Sequence, residues 1–298
     1  MCGIVGLLIK NPAMRGRLGE LMTPILTEMA ARGPESAGMA VFTERLPASE
    51  RKYSVYAPSW EYDWAQFEAE FIKRFGTEAQ MAVKGNHAVL TCDEPAEKVK
   101  PWVKERFPGL HVLAAGRAMD IYKDIGHAGE IAKRYGFSRL AGTHVVGHTR
   151  MATESAVTPD RAHPFTAGED FCLVHNGTIS NPFLVRRKLE HRGIAFETDN
   201  DTEAATRFLE WRMREGDNLE AALERGFEEL DGFYTLLIGT GDKLALVRDA
   251  FACKPAIVAE TDDYVAIASE FRGLAHLPGV NEATLFEPMP QELYVWRI

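Results

Sequence analysis

The chain has 298 residues, of which 46% are hydrophobic and 26% charged, with a formal net charge of -9. That size supports one large domain or two small ones built around a substantial core. The acidic balance excludes nucleic acid and anionic membrane as partners, since the nearest approach to a basic run, Arg186-Arg187-Lys188, reads as the solvated face of a helix.

Residues 1–9 read as an apolar, β-branched strand that opens on Cys2. The small side chain of Cys2 is compatible with removal of Met1, which would leave a thiol and an α-amine on one residue. These groups ordinarily titrate near ~8.5 and ~7.7–8.0. The amine can then take the thiol's proton, which is the N-terminal-nucleophile arrangement. Gly3 is expected to let other backbone come close to the sulfur. On this stretch alone, a buried core cysteine is the simpler reading.

Residues 16–31 carry Leu18, Leu21, Met22, Ile25, Leu26 and Met29 at helical spacing, and Gly33-Pro34 stops that helix. A strand over 39–42 follows. From 43 to 141 the character changes. Strands are predicted over 53–56, 89–92 and 111–115, and helices over 60–75 and 94–107. This stretch reads as an α/β insertion without a chemistry-bearing motif, suited to enlarging the fold or facing a partner. Residues 143–151 are strand-like and polar at the end, and 153–168 read as a proline-punctuated loop. A strand over 171–175 ends in His175-Asn176-Gly177. Helices are predicted over 182–191, 201–214 and 219–230. Strands follow over 233–239, 244–248, 256–259, 264–268 and 293–296, with turns at Asp231-Gly232 and Gly241-Asp242. Strands at both ends with helices between them predict stacked, helix-covered sheets, not a doubly wound parallel sheet.

Cys2, Cys92, Cys172 and Cys253 form no Cys-x-x-Cys motif, which fits free thiols in a reducing compartment. No apolar run approaches the ~18 residues of a membrane span, and no basic n-region marks a signal peptide. A cytoplasmic location is the expectation.

Three clusters could complete a site around Cys2. His148-Thr149-Arg150 ends a strand, and arginine grips a carboxylate bidentately. His175-Asn176-Gly177 offers a side-chain amide and a glycine N–H to a developing oxyanion, although Asn-Gly alone reads better as a tight turn. Asp199-Asn200-Asp201-Thr202-Glu203 opens a helix, where a carboxylate can hold an ammonium or simply cap the helix. Arg150 could equally be a surface ion-pair partner. His144, His148, His163, His175 and Cys172 match no standard zinc spacing, so no metal site is expected.

Met1-Cys2-Gly3-Ile4-Val5-Gly6, Arg32-Gly33-Pro34-Glu35-Ser36-Ala37-Gly38, His148-Thr149-Arg150, His163-Pro164, His175-Asn176-Gly177 and Asp201-Thr202-Glu203 occur in this order, with Ala268-Ser269-Glu270 later. Together they resemble the glutaminase domain of class II glutamine amidotransferases, and their order outweighs the simpler reading of Cys2. The resemblance implies an α+β fold, the four-layer αββα N-terminal-nucleophile sandwich of two antiparallel sheets. It implies one amidotransferase domain over 2–298, with the insertion at about 43–141 inside it. It further implies that Cys2 attacks the side-chain amide of L-glutamine, that Asn176 and Gly177 form the oxyanion hole, and that Arg150 and Asp201 bind the substrate's carboxylate and amine. Thr153 and His163 join the substrate-binding set by the same resemblance. Arg32 would brace the loop carrying Cys2, and 151–163 would form a lid. Asp201 is preferred over Asp199 because it directly precedes Thr-Glu. Two departures stand out: Met151 replaces the tryptophan of the sugar-phosphate amidotransferases, and Glu35 replaces a common aspartate.

The chain ends soon after its last glutaminase-like strands, so a separate ammonia-accepting synthase subunit is expected. The resemblance extends to the amidotransferase subunit of glutamate-synthase-like assemblies such as N-methylglutamate synthase. FMN or an iron–sulfur cluster would then belong to the partner, with no cofactor in this chain. The alternatives are a stand-alone γ-glutamyl amide hydrolase and a non-catalytic amino-acid-binding regulatory subunit.

Overall fold

The computed structural model describes residues 2–76, 78–151 and 158–298. The chain runs through β1 (Gly3–Ile9), α1 (Leu18–Glu28), β2 (Ser36–Phe42), β3 (Arg51–Tyr56), α2 (Trp64–Phe75), β4 (Gln80–Lys84), β5 (His87–Cys92), α3 (Ala96–Arg106), β6 (His111–Gly116), β7 (Met119–Ile125), α4 (Ala128–Tyr135) and β8 (His144–Arg150). It continues with β9 (Phe165–Ala167), β10 (Phe171–Ile179), α5 (Pro182–Glu190), α6 (Asp201–Arg214), α7 (Leu219–Glu229), β11 (Gly232–Gly239), β12 (Lys243–Arg248), β13 (Ile257–Glu260), β14 (Tyr264–Ala268), β15 (Thr284–Phe286) and β16 (Leu293–Arg297).

Burial on both faces explains why β1, β2 and β8 read as apolar runs with little alternation, as all seven positions of each are buried. They lie in a seven-stranded sheet ordered β15-β13-β14-β1-β8-β2-β7, whose pairings are all antiparallel. A five-stranded antiparallel sheet, β16-β12-β11-β10-β9, stacks on it. Ile4, Leu8, Val146, Val174, Leu237 and Leu246 fill the space between the sheets. The apolar face of α1, together with the turn that follows it and α4, covers the outer side of the seven-stranded sheet through Ile25, Met29 and Ile131. Helices α5 to α7 cover the five-stranded sheet through Leu189, Phe208 and Leu223. The result is the αββα sandwich, built from helix-on-sheet and sheet-on-sheet burial. No helix among the described residues is long and apolar enough to cross a membrane.

A third sheet, β4-β5-β3-β6, carries α2 and α3 and has its own core of Tyr53, Phe67, Phe71, Leu90 and Val99. This unit is narrower than 43–141. Strand β7 pairs with β2 along its whole length, and α4 packs with α1, so both belong to the main sandwich. No strand is predicted over 119–125, where charged residues break the apolar pattern. In the fold they find partners, Asp120 with Lys52 at 2.7 Å and Asp124 with Arg134 at 2.7 Å.

Other boundaries shift for local reasons. The helix expected over 16–31 divides into a 3-10 turn (Pro12–Arg17), α1 and a second 3-10 turn (Met29–Ala31). The loop expected over 153–168 contains β9 and the short turn Pro159–Arg161. Arg186 is not on a solvated face: its guanidinium donates to Asn200 O at 2.7 Å and lies 4.4 Å from the Phe196 ring centroid.

Asp170 ties the third sheet's exit to the sandwich. Its buried carboxylate accepts the backbone N–H groups of Arg117, Ala118 and Met119 at 2.8 to 3.1 Å. Gly116 makes room, since a Cβ there would fall 2.1 Å from Asp170 Oδ1. Asp170→Ala strands three backbone donors, two of them buried, and is expected to cost about 3 kcal/mol, measured by denaturant unfolding. A loss below about 0.5 kcal/mol would contradict this role.

Candidate active site

Strand register brings the candidate residues together. In the β1–β8 pairing Gly3 faces Thr149, so Arg150, one residue further, comes alongside Cys2. A Cβ on Gly3 would lie 2.8 Å from Thr149 Oγ1 and 2.9 Å from Met29 Cβ. The glycine is therefore set by the packing of β8 and the turn after α1, and not by an approach to the sulfur as expected from sequence.

The carbonyl of Cys2 is held twice. Arg32 Nε donates to it at 2.9 Å and Asn176 Nδ2 at 3.1 Å. Arg32 Nη1 also pairs with Glu270 Oε1 at 2.5 Å, and this contact holds the Glu270 carboxyl below the usual range. Ser269 accepts the Ile4 N–H at 3.0 Å and lies 3.2 Å from Asn176 Nδ2. The Ser269-Glu270 pair thus anchors both groups that hold Cys2. Cys2 Sγ lies 3.8 Å from the carbonyl of Met151.

A cavity of about 300 Å³ opens beside this sulfur. Cys2, Arg150, His163, Gly177 and Asp201 line it together. Asn176 sits outside the lining, with its amide turned to Cys2 and Ser269. Thr153 and 152–157 of the expected lid lie outside the described residues. Met151 and Arg161, on either side of that stretch, do reach the cavity.

Asn176-Gly177 is not a turn. Strand β10 runs on to Ile179, and Gly177 pairs with Tyr234 of β11. Gly177 has φ of 128°, and a Cβ there would meet Phe233 O at 2.1 Å, so only glycine fits. At the start of α6 the cap is Asn200, whose Oδ1 accepts the Thr202 N–H at 2.9 Å. That leaves Asp201 for other contacts, and its Oδ2 accepts the Ile179 N–H at 3.0 Å. Asp199 is mostly exposed and pairs with Arg161 at 2.9 Å.

Three buried histidines surround these groups. Burial pushes His148 down to about 3, His163 well below its ordinary value, and His175 down as well. All three are neutral at pH 7. His148 Nε2 lies 3.2 Å from both His175 O and Asn176 Oδ1, two acceptors, so this nitrogen carries the proton. The contact orients the Asn176 amide with its NH₂ toward Cys2. His163 packs against His148 with centroids 4.1 Å apart and the rings tilted by 31°. Among the described residues no group of three or more His, Cys, Asp or Glu could hold a metal ion.

Sequence reasoning gave no role to His175, Thr202, Ser269 or Arg161. The first three stood inside the quoted motifs, but their contacts cross between distant segments, which adjacency cannot show. Chemically, the cavity places a thiol near guanidinium and carboxylate groups, an arrangement suited to a small zwitterion.

The family profile of the glutamine amidotransferase domain matches residues 148–276. The glutamine amidotransferase-like protein GlxB of Rhizobium meliloti is 42% identical over 297 residues, covering 99% of this chain and 98% of its own. A Methanothermobacter thermautotrophicus protein assigned to the glutamine amidotransferases is 32% identical and covers 99% of both chains. Among solved structures, the glutamine phosphoribosylpyrophosphate amidotransferase from B. subtilis aligns with a TM-score of 0.63 at 18% identity, over 99% of this chain and 47% of that one. The last comparison concerns the fold alone, and this chain spans about half of that enzyme.

Proposed function

Because the chain belongs to the class II glutamine amidotransferase family, we propose that it hydrolyses L-glutamine to glutamate and ammonia through a thioester on Cys2 and delivers the ammonia to a separate synthase subunit. The observation that carries this reading is the single cavity lined by Cys2, Arg150, Gly177 and Asp201.

Removal of Met1 frees the α-amine of Cys2, which takes the thiol proton. The sulfur attacks the side-chain amide carbon, and the carbonyl becomes an oxyanion. The Gly177 N–H and an Asn176 amide hydrogen, released from Ser269, stabilise that charge. Ammonia leaves with the proton, and the γ-glutamyl thioester remains. Water adds to the thioester and returns the thiol and glutamate. Arg150 takes the substrate α-carboxylate, Asp201 its ammonium, and His163 helps shape that end of the cavity. Arg32, held by Glu270, keeps the Cys2 carbonyl in place. By the resemblance, Thr153 belongs to the substrate-binding set. None of these steps calls on a cofactor.

The reading of a synthase partner rests on the resemblance to glutamate-synthase-like assemblies. A flavin-dependent chain, with FMN or an iron–sulfur cluster, would use the ammonia, and residues 2–298 would act as one amidotransferase domain. Ammonia release from glutamine by N-terminally processed protein tests the first half. Stimulation of that release by a co-purifying flavoprotein tests the second. Cleavage of other γ-glutamyl amides with glutamine ignored would favour a stand-alone hydrolase instead.

Charge recognition gives a further expected result. Arg150→Ala and Asp201→Asn each raise KM for glutamine by roughly 10–100-fold, with the smaller effect on kcat. Unchanged KM in both variants would show that the zwitterion is held elsewhere.

A further inference from the structure

Thr202 is fully buried, yet it contributes to the cavity lining. Its hydroxyl is where three segments of the chain meet. Oγ1 lies 2.9 Å from His163 Nε2, 3.0 Å from His175 Nδ1 and 3.4 Å from Asp201 Oδ1. His163 belongs to the connection before β9, His175 to β10, and Asp201 to the first turn of α6.

A hydroxyl has one proton to give and two lone pairs to offer, and a carboxylate only accepts. If Thr202 donated to either ring, its contact with Asp201 would set two acceptors face to face. One assignment makes all three contacts hydrogen bonds: Thr202 donates to Asp201, and both imidazoles donate to Thr202. It also puts a proton on His175 Nδ1, which faces Asp201 Oδ1 at 3.8 Å. Each ring is neutral because burial disfavours its charged form, so each has one N–H, and that N–H is used here. The opposite nitrogens, His163 Nδ1 and His175 Nε2, are buried without a hydrogen-bond partner among the described residues. A bare lone pair there costs less than a bare N–H, in keeping with the assignment.

Asp201 is consequently fixed at both oxygens, Oδ2 by the Ile179 N–H and Oδ1 by Thr202. Both donors are neutral. The carboxylate is aimed without its charge being cancelled, as a subsite for an ammonium group requires.

We infer that Thr202 is a positioning residue for the substrate's α-ammonium, aiming Asp201 and locking the His163 and His175 rings around it. The inference rests on the glutaminase reading above.

The test compares wild type, Thr202→Val and Thr202→Ser on glutamine and on 4-carbamoylbutanoate, which is glutamine without its α-amine. Thr202→Val keeps the shape but loses the hydroxyl. It is expected to raise KM for glutamine roughly tenfold or more with kcat changed less than about threefold, and Thr202→Ser to restore the wild-type value. On 4-carbamoylbutanoate, assayed with enzyme in excess, wild type and Thr202→Val should have equal kcat/KM within about twofold. If Thr202→Val does not fold, Thr202→Ala is assayed with the same expectation. Equal losses on both substrates, or no restoration by serine, would overturn the inference. Wild-type protein inert toward glutamine would defeat the underlying reading, and this inference with it.

Discussion

Cys2→Ala protein is expected to release no ammonia from glutamine, a loss of roughly 10⁵-fold or more, while still binding the substrate. The two effects separate because they belong to different groups. The sulfur would form the bond to the amide carbon, whereas charge recognition would fall to Arg150 and Asp201. The variant should also fold normally. Cys2 precedes β1, is only partly buried, and is held through its backbone carbonyl by Arg32 and Asn176, contacts that alanine keeps. Glutamine at about 100 times its Kd should then stabilise the variant by about 2.7 kcal/mol, as it does any folded protein that binds it. A Cys2→Ala protein with wild-type activity would remove the proposed nucleophile. Loss of glutamine binding along with activity would instead make Cys2 part of the recognition surface.

Asn176→Ala carries the second large effect. The Asn176 amide is buried, oriented by His148, and directed at the backbone of the proposed nucleophile. Removing it deletes one of two donors to the developing oxyanion, for an expected fall in kcat of roughly 10²–10³. Misfolding does not account for such a loss. His148 keeps His175 O as an acceptor, Arg32 keeps hold of the Cys2 carbonyl, and Ser269 Oγ keeps the Ile4 N–H. An effect confined to KM would move Asn176 from transition-state stabilisation to ground-state binding.

Most of the candidate site was legible because each of its parts is a short run at an element boundary. Cys2 opens β1, Arg150 closes β8, and Asp201 opens α6, so neighbouring residues carried both the structural and the chemical signal. The αββα architecture was legible for a related reason: strands buried on both faces read as apolar runs, and α6 began and ended where expected. Contacts made across the sandwich stayed hidden. Nothing near Ser269 in the chain points to Asn176 or Ile4, and the convergence of His163, His175 and Asp201 on Thr202 exists only after three segments pack.

Other misses came from strands whose polarity belongs to their surroundings. Strand β7 went unassigned because Asp120 and Asp124 interrupt its apolar pattern and find their counter-ions in other segments. Strand β4 lies at the edge of the third sheet and is largely solvent-facing, so it lacked an apolar face to read. Asn176-Gly177 imitated a turn because the positive φ of Gly177 serves a close approach to β11 inside a strand, a use that composition does not distinguish from a hairpin.

The most direct measurement is covalent labelling of the N-terminally processed protein with a diazoketone analogue of glutamine, followed by peptide mass mapping. One analogue per chain, attached at Cys2 and suppressed by excess glutamine, is the predicted result. Modification at Cys253 or elsewhere with Cys2 untouched, or labelling that glutamine does not suppress, would contradict the assignment of the Cys2 thiol as the nucleophile.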